Sequence, residues 1–327
     1  MSELRWNPTT DEWIITATHR QDRTFFPPPD YNPLAPTRPG GFPTEIPAST
    51  YEIVVFENKF PSLRRNPPEP AIVSNDFEPV RPAQGVCEVV CYTPQSDTEL
   101  AKLPVQKIEQ LIHVWADRYA DLSAYPFVKY VFIFENKGRE IGVTLAHPHG
   151  QIYAYPFVPP IPATELAAAR KYQVQTGNNL YDHIIASEIQ DGRRIVSENE
   201  HFMAIVPFYA RYPYEVHIIA KVAKTAIADF DDAERNSLAV IMKTVMEKYN
   251  NLFSKSMPYI MLMHQRPSQG DVADHDSYRF HIEFYPPYRT ADKLKYLAGS
   301  EAGANVFIND TLPEVTAKNL RELEPHL

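Results

Sequence analysis

Two histidines and a glutamine at alternate positions are the residues best suited to chemistry, in the run His147-Pro148-His149-Gly150-Gln151. In an extended chain, residues two apart point to the same side, so both imidazoles and the carboxamide are expected to share one face. A neutral imidazole is a nucleophile near pH 7 when its other ring nitrogen is held by an acceptor. Pro148 stiffens the link, and the missing side chain of Gly150 is expected to let a phosphate approach the backbone. Gln151 can then bond a phosphoryl oxygen without adding negative charge.

Extended segments on both sides must position this run. An apolar strand over residues 130–134 leads into the polar residues 135–140, and the chain returns through residues 141–145. The residues from Gln151 to Tyr155 read as the strand that follows the histidines. The end of the strand and the start of the polar residues form a second motif, Phe134-Glu135-Asn136-Lys137-Gly138.

These two motifs, together with Gly142, resemble the signature of the galactose-1-phosphate uridylyltransferase family of the histidine-triad superfamily, and the similarity runs from Arg20 to Glu301. The resemblance implies a ping-pong reaction in which His149 attacks the α-phosphorus of UDP-glucose and passes the uridylyl group to galactose 1-phosphate, a step of the Leloir pathway of galactose metabolism. The carbonyl oxygen of His147 would hold the far ring nitrogen of His149. Gln151 would bond the phosphoryl oxygen.

Two other functions are compatible with the same residues. A related phosphorylase would split ADP-glucose or a dinucleoside polyphosphate with phosphate as acceptor, and it would use the same histidine. A non-catalytic nucleotide sensor would have kept the fold alone, and the intact run from His147 to Gln151 argues against it. The sequence does not decide between uridine and adenine, nor does it identify the acceptor sugar phosphate.

The resemblance assigns further positions to the nucleotide. Arg20 and Arg23 match an arginine pair near the phosphates, and guanidinium groups pair well with phosphate oxygens. Asn58 matches an asparagine that contacts ribose or uracil, although Lys59 stands where relatives usually have an acidic residue. The remaining substrate-binding positions implied by the signature are Asn136, Gly142 and Thr144.

The hexose is expected to contact a segment near the end of the chain. Residues 288–301 resemble a tail in which a lysine and a glutamate hold the sugar across the interface of a homodimer, and Lys295 and Glu301 match those positions. A tyrosine of the pattern has become Ser300. A homodimer is therefore expected from the resemblance, with UDP-glucose and galactose 1-phosphate as the substrates.

A metal site is expected in the second half. Relatives bind a structural iron or zinc through one glutamate and three histidines, and the matching residues here are Glu165, His264, His281 and Glu283. Glu283 stands where the last histidine is usual, and its type also suits a metal. A buried cluster of hydrogen-bonded histidines and glutamates is the alternative. Four other histidines have no neighbouring motif and receive no role: His183, His201, His217 and His326.

A second zinc site of the family is predicted to be absent. Relatives build it from two cysteines, a third ligand and the first histidine of the signature, and the first three positions here read Asn32, Ala35 and Ser96. Only His147 remains, and one imidazole cannot hold a tetrahedral zinc ion. Packing or hydrogen bonds are expected to replace the metal.

Size, charge and apolar content bound the class of protein. The 327 residues, 44% of them hydrophobic, suffice for one large domain or two of ordinary size. A formal charge of −9 argues against nucleic acid or a membrane surface as the main partner. Because no apolar run of about 18 residues exists and the start is polar, a cytoplasmic location is expected. The 31 prolines cluster at 27–48 and 61–82, where extended arms packed on the surface are expected.

An internal repeat predicts two related halves. Glu88 precedes the strand at Tyr130 by 42 residues, and Glu215 precedes the strand at Tyr259 by 44. An amphipathic helix lies in each interval. The two predicted helices cover residues 104–122 and 232–253.

We therefore predict an α+β fold of two histidine-triad-like halves, each an antiparallel sheet with packed helices. Residues 1–172 would carry the nucleophile. Residues 173–327 would carry the possible metal site and the hexose-binding tail.

Overall fold

A nine-stranded antiparallel sheet is the centre of the protein, seen in a computed structural model that describes residues 2–22, 27–28, 31–270 and 275–325. A three-stranded sheet and a two-stranded ribbon accompany it. The strands are β1 (Ser2–Asn7), β2 (Glu12–Ala17), β3 (Val54–Glu57), β4 (Val80–Pro82), β5 (Val86–Cys91), β6 (Tyr130–Lys137), β7 (His149–Tyr155), β8 (Ile195–Glu198), β9 (Phe202–Ile205), β10 (Val216–Ala220), β11 (Tyr259–His264), β12 (His281–Tyr285), β13 (Tyr288–Thr290) and β14 (Lys293–Leu294). The α-helices are α1 (Val105–Ser123), α2 (Pro160–Thr176), α3 (Leu180–Asp191), α4 (Asp232–Leu252) and α5 (Pro313–Arg321).

The two halves of the chain contribute adjacent strands to the large sheet, whose order is β3-β5-β7-β6-β11-β12-β10-β9-β8. They meet where β6 pairs with β11, with Lys137 opposite Tyr259. The predicted α+β fold is thus confirmed, and the two antiparallel sets continue into one sheet. The predicted boundary between residues 172 and 173 falls within α2 and stays a prediction.

The internal repeat is visible in the order of the elements. β5, α1, β6 and β7 in the first half are followed in the second half by β10, α4, β11 and β12 in the same order. Both helices pack against each other and against the sheet, because each has a continuous apolar stripe. The buried stripe of α1 consists of Ile108, Leu111, Ile112, Trp115, Tyr119 and Leu122. Pro104 caps α1 from outside the helix, so the helix begins one residue later than predicted.

Alternation along the central strands separates the core from the polar groups. Ile152 of β7 and Ile282 of β12 belong to the apolar core beneath α1 and α4. Since successive side chains of a strand point to opposite faces, His149 and His281 lie on the other face of the sheet. The candidate nucleophile and the candidate metal ligands of β12 therefore share one face.

That second face is covered by different parts of the chain in the two halves. Over the second half, Ala169 of α2 and Tyr181 of α3 pack on the sheet. Over the first half, Leu34 and Ile46 pack against Val89 of β5. These two residues lie in the first proline-rich segment, so its predicted packing on the protein surface is confirmed.

Candidate active site

His149 is the first residue of β7 and is held by its own backbone. Its ring nitrogen Nδ1 lies 2.7 Å from the carbonyl oxygen of His147. Because a carbonyl oxygen can only accept, Nδ1 carries the proton, and a neutral ring then has its lone pair on Nε2. The geometry expected from the sequence is present, and His149 is in the tautomer that a nucleophile attacking through Nε2 requires.

Gln151 lies two residues further on the same face and is oriented by Asn58. The Asn58 amide nitrogen donates to Oε1 of Gln151 at 3.4 Å, and Oδ1 of Asn58 accepts from the backbone nitrogen of Phe60 at 2.9 Å. Since the oxygen of the Gln151 amide accepts from Asn58, its nitrogen is the group that can donate to an approaching phosphoryl oxygen. The structure therefore joins two of the predicted substrate-binding residues by a direct contact.

Two adjoining cavities meet at His149. One, of about 220 Å³, is lined by Asn58, Thr144, His149 and Gln151, and also by the aromatic rings of Tyr31 and Phe60. The other, of about 240 Å³, is lined by Asn136, Thr144 and His149. Four of the predicted substrate-binding residues thus come together around the nucleophile.

Gly142 takes part in the site through its backbone conformation. It ends the short 3-10 helix Arg139–Ile141 in the left-handed region, with φ of 85°. A side chain is strained there, which accounts for the glycine. The loop that follows carries Thr144 into both cavities.

Of the two predicted phosphate-binding arginines, Arg20 lies in the described part of the chain, close to the first cavity. Arg20 lies in the 3-10 helix Thr18–Asp22, and its Nη1 donates to the carbonyl oxygen of Phe60 at 3.1 Å. This bond places Arg20 beside a residue that lines the first cavity. Arg23 lies outside the described residues.

His147 is buried and is bonded on both ring nitrogens. The Asn32 amide donates to Nδ1 at 3.0 Å, and Nε2 donates to the carbonyl oxygen of Thr93 at 2.8 Å, with the hydroxyl of Tyr51 2.8 Å away. Burial lowers the pKa of His147. At the position of the second zinc site of the family, His147 is therefore a neutral histidine held by hydrogen bonds. Ser96, which matches another ligand position of that site, is exposed.

Gly150 has a different role from the one predicted. We expected its missing side chain to admit a phosphate, but a Cβ atom built there would lie 2.2 Å from the Tyr92 hydroxyl and 3.0 Å from the Phe134 carbonyl oxygen. Both contacts are on the core side of β7, opposite His149. Close packing against Tyr92 is what requires the glycine, so the prediction was wrong.

A buried carboxyl group lies behind the nucleophile. Glu135 is 4% exposed, borders the second cavity, and accepts from the hydroxyls of Tyr92 at 3.5 Å and Tyr259 at 3.4 Å. Burial raises the pKa of Glu135 to about 8. The sequence showed Glu135 only as part of a motif, and its burial followed from the pairing of β6 with β7 and β11.

The four predicted metal-binding residues come together on the same face of the sheet. Glu165 of α2, His264 of β11, and His281 and Glu283 of β12 each offer one ligand atom, and these atoms all lie within 4.8 Å of one another. Nδ1 of His281 lies 2.9 Å from the carbonyl oxygen of Arg279, so its Nε2 has the lone pair. The predicted group of four is thus assembled.

The chemistry of this group fits a cation. Nε2 of His264 is buried and has no hydrogen-bond partner among the described residues, and it lies 3.5 Å from Oε2 of Glu283. The hydroxyl of Tyr278 donates to Glu165 at 2.5 Å, which orients that carboxylate. Two carboxylates and two imidazoles form a suitable donor set for zinc or ferrous iron.

Known proteins share both halves of this arrangement. Residues 1–159 match the N-terminal domain of galactose-1-phosphate uridyl transferase, and residues 165–327 match its C-terminal domain. Over 326 residues and 99% of each chain, the sequence is 43% identical to the galactose-1-phosphate uridylyltransferase of Thermotoga maritima. The chain belongs to the galactose-1-phosphate uridylyltransferase family.

Solved structures were compared with the fold as well, and the first of them agrees with membership of this family of transferases. A structure described as a uridylyltransferase superposes with a TM-score of 0.86 at 34% identity, covering 98% of this chain and 97% of that chain. An ADP-glucose phosphorylase from Arabidopsis thaliana, solved with ADP-glucose bound, superposes with a TM-score of 0.74 at 23% identity, covering 99% of each chain. The second likeness shows a common fold alone.

The two residues predicted to bind the hexose, Lys295 and Glu301, lie away from His149 within one chain. Nζ of Lys295 lies 3.2 Å from Oε1 of Glu301, and it also donates to the carbonyl oxygen of Ile308 at 2.5 Å. Glu301 borders a separate cavity together with His264. The structure therefore pairs these two residues with each other and does not place them beside the nucleophile.

The structure also adds residues that the sequence missed. His217 received no role, yet its Nε2 lies 3.2 Å from Oε1 of Glu283 and 2.8 Å from Oε1 of Glu215. The signal was the spacing of Glu215 and His217, which puts both on one face of a strand.

No helix in the described part of the chain has the length and apolar content needed to span a bilayer.

Proposed function

We propose that this chain transfers UMP from UDP-glucose to galactose 1-phosphate through a covalent uridylyl-histidine. Nε2 of His149 attacks the α-phosphorus, the bond from that phosphorus to the bridging oxygen breaks, and glucose 1-phosphate leaves with the oxygen. A phosphate oxygen of galactose 1-phosphate then attacks the same phosphorus and restores the neutral imidazole. The two leaving groups are similar, so one histidine serves both directions without a separate acid.

The observation that carries this proposal is the 2.7 Å contact between Nδ1 of His149 and the carbonyl oxygen of His147. The contact keeps the proton on Nδ1, so that Nε2 is the nucleophile. Once phosphorus is attached to Nε2 the ring is cationic, and the same carbonyl dipole stabilises that charge. Gln151 supports the reaction by donating its amide to a phosphoryl oxygen, which adds no negative charge near the phosphates.

The hexose end of the site is proposed to come from a second copy of the chain. Lys295 and Glu301 are paired with each other, and the tail around them exposes Tyr296 and Ile308, which are 76% and 57% exposed. Apolar side chains beside a charged pair suit an interface between subunits. Mixing two inactive variants, His149→Gly and Lys295→Ala, would then restore part of the activity, because a mixed dimer contains one complete site.

A structural zinc or iron ion is proposed at Glu165, His264, His281 and Glu283. Support comes from Nε2 of His264, which has no hydrogen-bond partner in the described part of the chain, and from the lone pair on Nε2 of His281. Such an ion would hold α2 against β11 and β12 and so stabilise the second half. Elemental analysis of the purified protein identifies the metal. The cytoplasmic location expected from the sequence stays a prediction.

Intact-mass measurement tests the transfer reaction directly. The protein is incubated with UDP-glucose alone, or with ADP-glucose alone, and its mass is compared with that of the untreated chain. The proposal predicts a uridylyl adduct with UDP-glucose that galactose 1-phosphate removes and that His149→Gly does not form. An adenylyl adduct in its place would indicate a phosphorylase acting on ADP-glucose, and no adduct with either compound would indicate a nucleotide sensor.

A further inference from the structure

A glutamate and a histidine outside the four-residue metal group contact it from the neighbouring strand. His217 of β10 lies directly opposite Glu283 of β12, and Glu215 comes just before β10. His217 is 4% exposed and Glu215 is 2% exposed. A buried carboxylate is stable only when its oxygens are paired, so the partners of these residues decide what they do.

Glu215 is held on both of its oxygens. Its Oε2 accepts from the backbone nitrogens of Arg211 at 2.6 Å and Tyr212 at 3.0 Å, and its Oε1 accepts from Nε2 of His217 at 2.8 Å. The same Nε2 lies 3.2 Å from Oε1 of Glu283. One imidazole N–H therefore lies between two carboxylates, and main-chain amides immobilise the first of them.

Glu283 is in turn fixed at both ends of its carboxylate. His217 contacts Oε1, and the hydroxyl of Tyr285 donates to Oε2. In this orientation Oε2 is 3.5 Å from Nε2 of His264, and Oε1 is 3.7 Å from Nε2 of His281. A carboxylate rotates freely about its last bond, so contacts from outside the ligand group are what select one orientation toward a cation.

We propose that His217, anchored by Glu215, is a positioning residue that orients Glu283 for the metal. The inference rests on the metal site proposed above. It extends that site to a unit of Glu215, His217 and Glu283, which takes the place of the third histidine that the family resemblance led us to expect. An imidazole at 283 could bind a cation without a donor on β10, whereas Glu283 depends on one.

Zinc affinity and cobalt absorption test the inference in the full-length protein. Apo protein is titrated with Zn²⁺ against a competing chelator, and with Co²⁺ followed by its visible absorption bands. His217→Leu should weaken Zn²⁺ binding roughly 10- to 100-fold, as the loss of an outer contact typically does. At saturation its Co²⁺ bands should keep the intensity of the wild type, because the four ligands remain.

Three further variants and a matched control make the test specific. His217→Gln retains an N–H donor and should recover most of the affinity. Glu215→Gln removes the charge that anchors the ring and should weaken binding less than His217→Leu. The double variant Glu283→His with His217→Leu should bind Zn²⁺ more tightly than His217→Leu alone. His201→Leu, which changes a histidine outside the metal group, is the matched control and should bind as the wild type does.

Several results would overturn the inference. Equal Zn²⁺ affinity in His217→Leu and the wild type would leave His217 a packing residue, and a changed Co²⁺ coordination would make it a ligand. A double variant that binds Zn²⁺ no more tightly than His217→Leu would refute the inference that Glu215, His217 and Glu283 together take the place of a histidine ligand. Wild-type protein that binds no Zn²⁺ would remove the metal site and this inference together. The uridylyl adduct on His149 is measured separately and does not depend on any of these results.

Discussion

His149 and His281 are held by the same contact in the two halves of the protein. Nδ1 of each ring lies against the carbonyl oxygen two residues earlier in the chain, at 2.7 Å for His149 and 2.9 Å for His281. Both rings therefore have their lone pair on Nε2, which suits one for phosphorus and the other for a metal. Counted back from Tyr155 and Tyr285, however, His281 takes the position of Gln151.

The position that corresponds to His149 in the second half is occupied by Arg279. Its guanidinium is buried and donates to the carbonyl oxygen of Ala220 at 3.0 Å. A guanidinium stays protonated at all ordinary pH values and has no lone pair for attack. The second half thus has a histidine ring held by a backbone carbonyl oxygen, but it has no histidine at the position of the nucleophile.

Replacing the nucleophile should abolish the reaction. In His149→Gly, turnover of UDP-glucose with galactose 1-phosphate should fall below detection, since the imidazole that forms the bond to phosphorus is gone. Added imidazole should restore part of the turnover by filling the space of the side chain. A coupled assay for glucose 1-phosphate measures both effects. Turnover equal to that of the wild type would refute the assignment of His149.

Gln151 and Asn58 should affect kcat to different extents. Gln151→Ala removes the amide donor and should lower kcat by roughly 10²- to 10³-fold, as for the loss of one oxyanion donor. Asn58→Ala should lower kcat less, because Asn58 acts on the phosphoryl oxygen through Gln151. Gln151→Glu should be at least as damaging as Gln151→Ala, since its charge repels the phosphates. Steady-state kinetics with both substrates decides, and an unchanged kcat in Gln151→Ala would exclude this role.

Adding one methyl group at Gly150 should destabilise the protein. The new Cβ would lie 2.2 Å from the Tyr92 hydroxyl, and overpacking of this kind costs about 1–3 kcal/mol. Tyr92→Phe removes the hydroxyl and should recover part of the loss in the double variant. Gly299→Ala is the matched control, because no other described atom, apart from its chain neighbours and its own helix backbone, lies within 4 Å of a Cβ built there. Urea denaturation of the wild type, the two single variants and the double variant gives the coupling, and additive effects of the two changes would contradict the proposed clash.

Stability should depend on pH through Glu135. The pKa of its carboxyl is about 8 in the folded protein and near 4.5 when exposed. The folded state therefore holds a proton that the unfolded chain releases, so this contribution to stability is complete below pH 4.5 and is lost as the pH rises to about 8. Glu135→Gln, which is neutral at every pH, should gain a few kcal/mol of relative stability between those limits, on the order expected for such a shift.

Thermal unfolding across the pH range measures this effect of Glu135. The exposed Glu69 offers a matched control, because Glu69→Gln makes the same substitution at a carboxyl that is not buried. A Glu135→Gln profile parallel to that of the wild type from pH 5 to about pH 8 would show that Glu135 is ionised in the folded protein.

Removing the metal should destabilise the fold without blocking adduct formation. An ion that binds only the folded chain contributes to stability in proportion to its occupancy, so a strong chelator should lower the melting temperature and added Zn²⁺ should restore it. His149 lies in the other half of the sheet, so the uridylyl adduct should still form below the lowered melting temperature. A melting temperature insensitive to chelator would contradict a structural metal.

The sequence alone predicted the candidate nucleophile, the two long helices that pack together and the candidate metal ligands. These depend on local patterns: alternate residues share one face of a strand, and an apolar stripe forms one face of a helix. His149 and Gln151 could therefore be placed together, and so could His281 and Glu283. The expected role of each of these residues came from the family resemblance.

The strand pairings that bring distant side chains together became visible only in the folded protein. The pairing of β10 with β12 puts His217 against Glu283, although the chain between them shows no sign of it. The pairing of β5 with β7 brings Tyr92, the residue after β5, against Gly150 and assigns that glycine to the core, where the sequence had suggested phosphate binding. Such contacts depend on register and on the distance between faces, and neither is encoded in the spacing of residues along one segment.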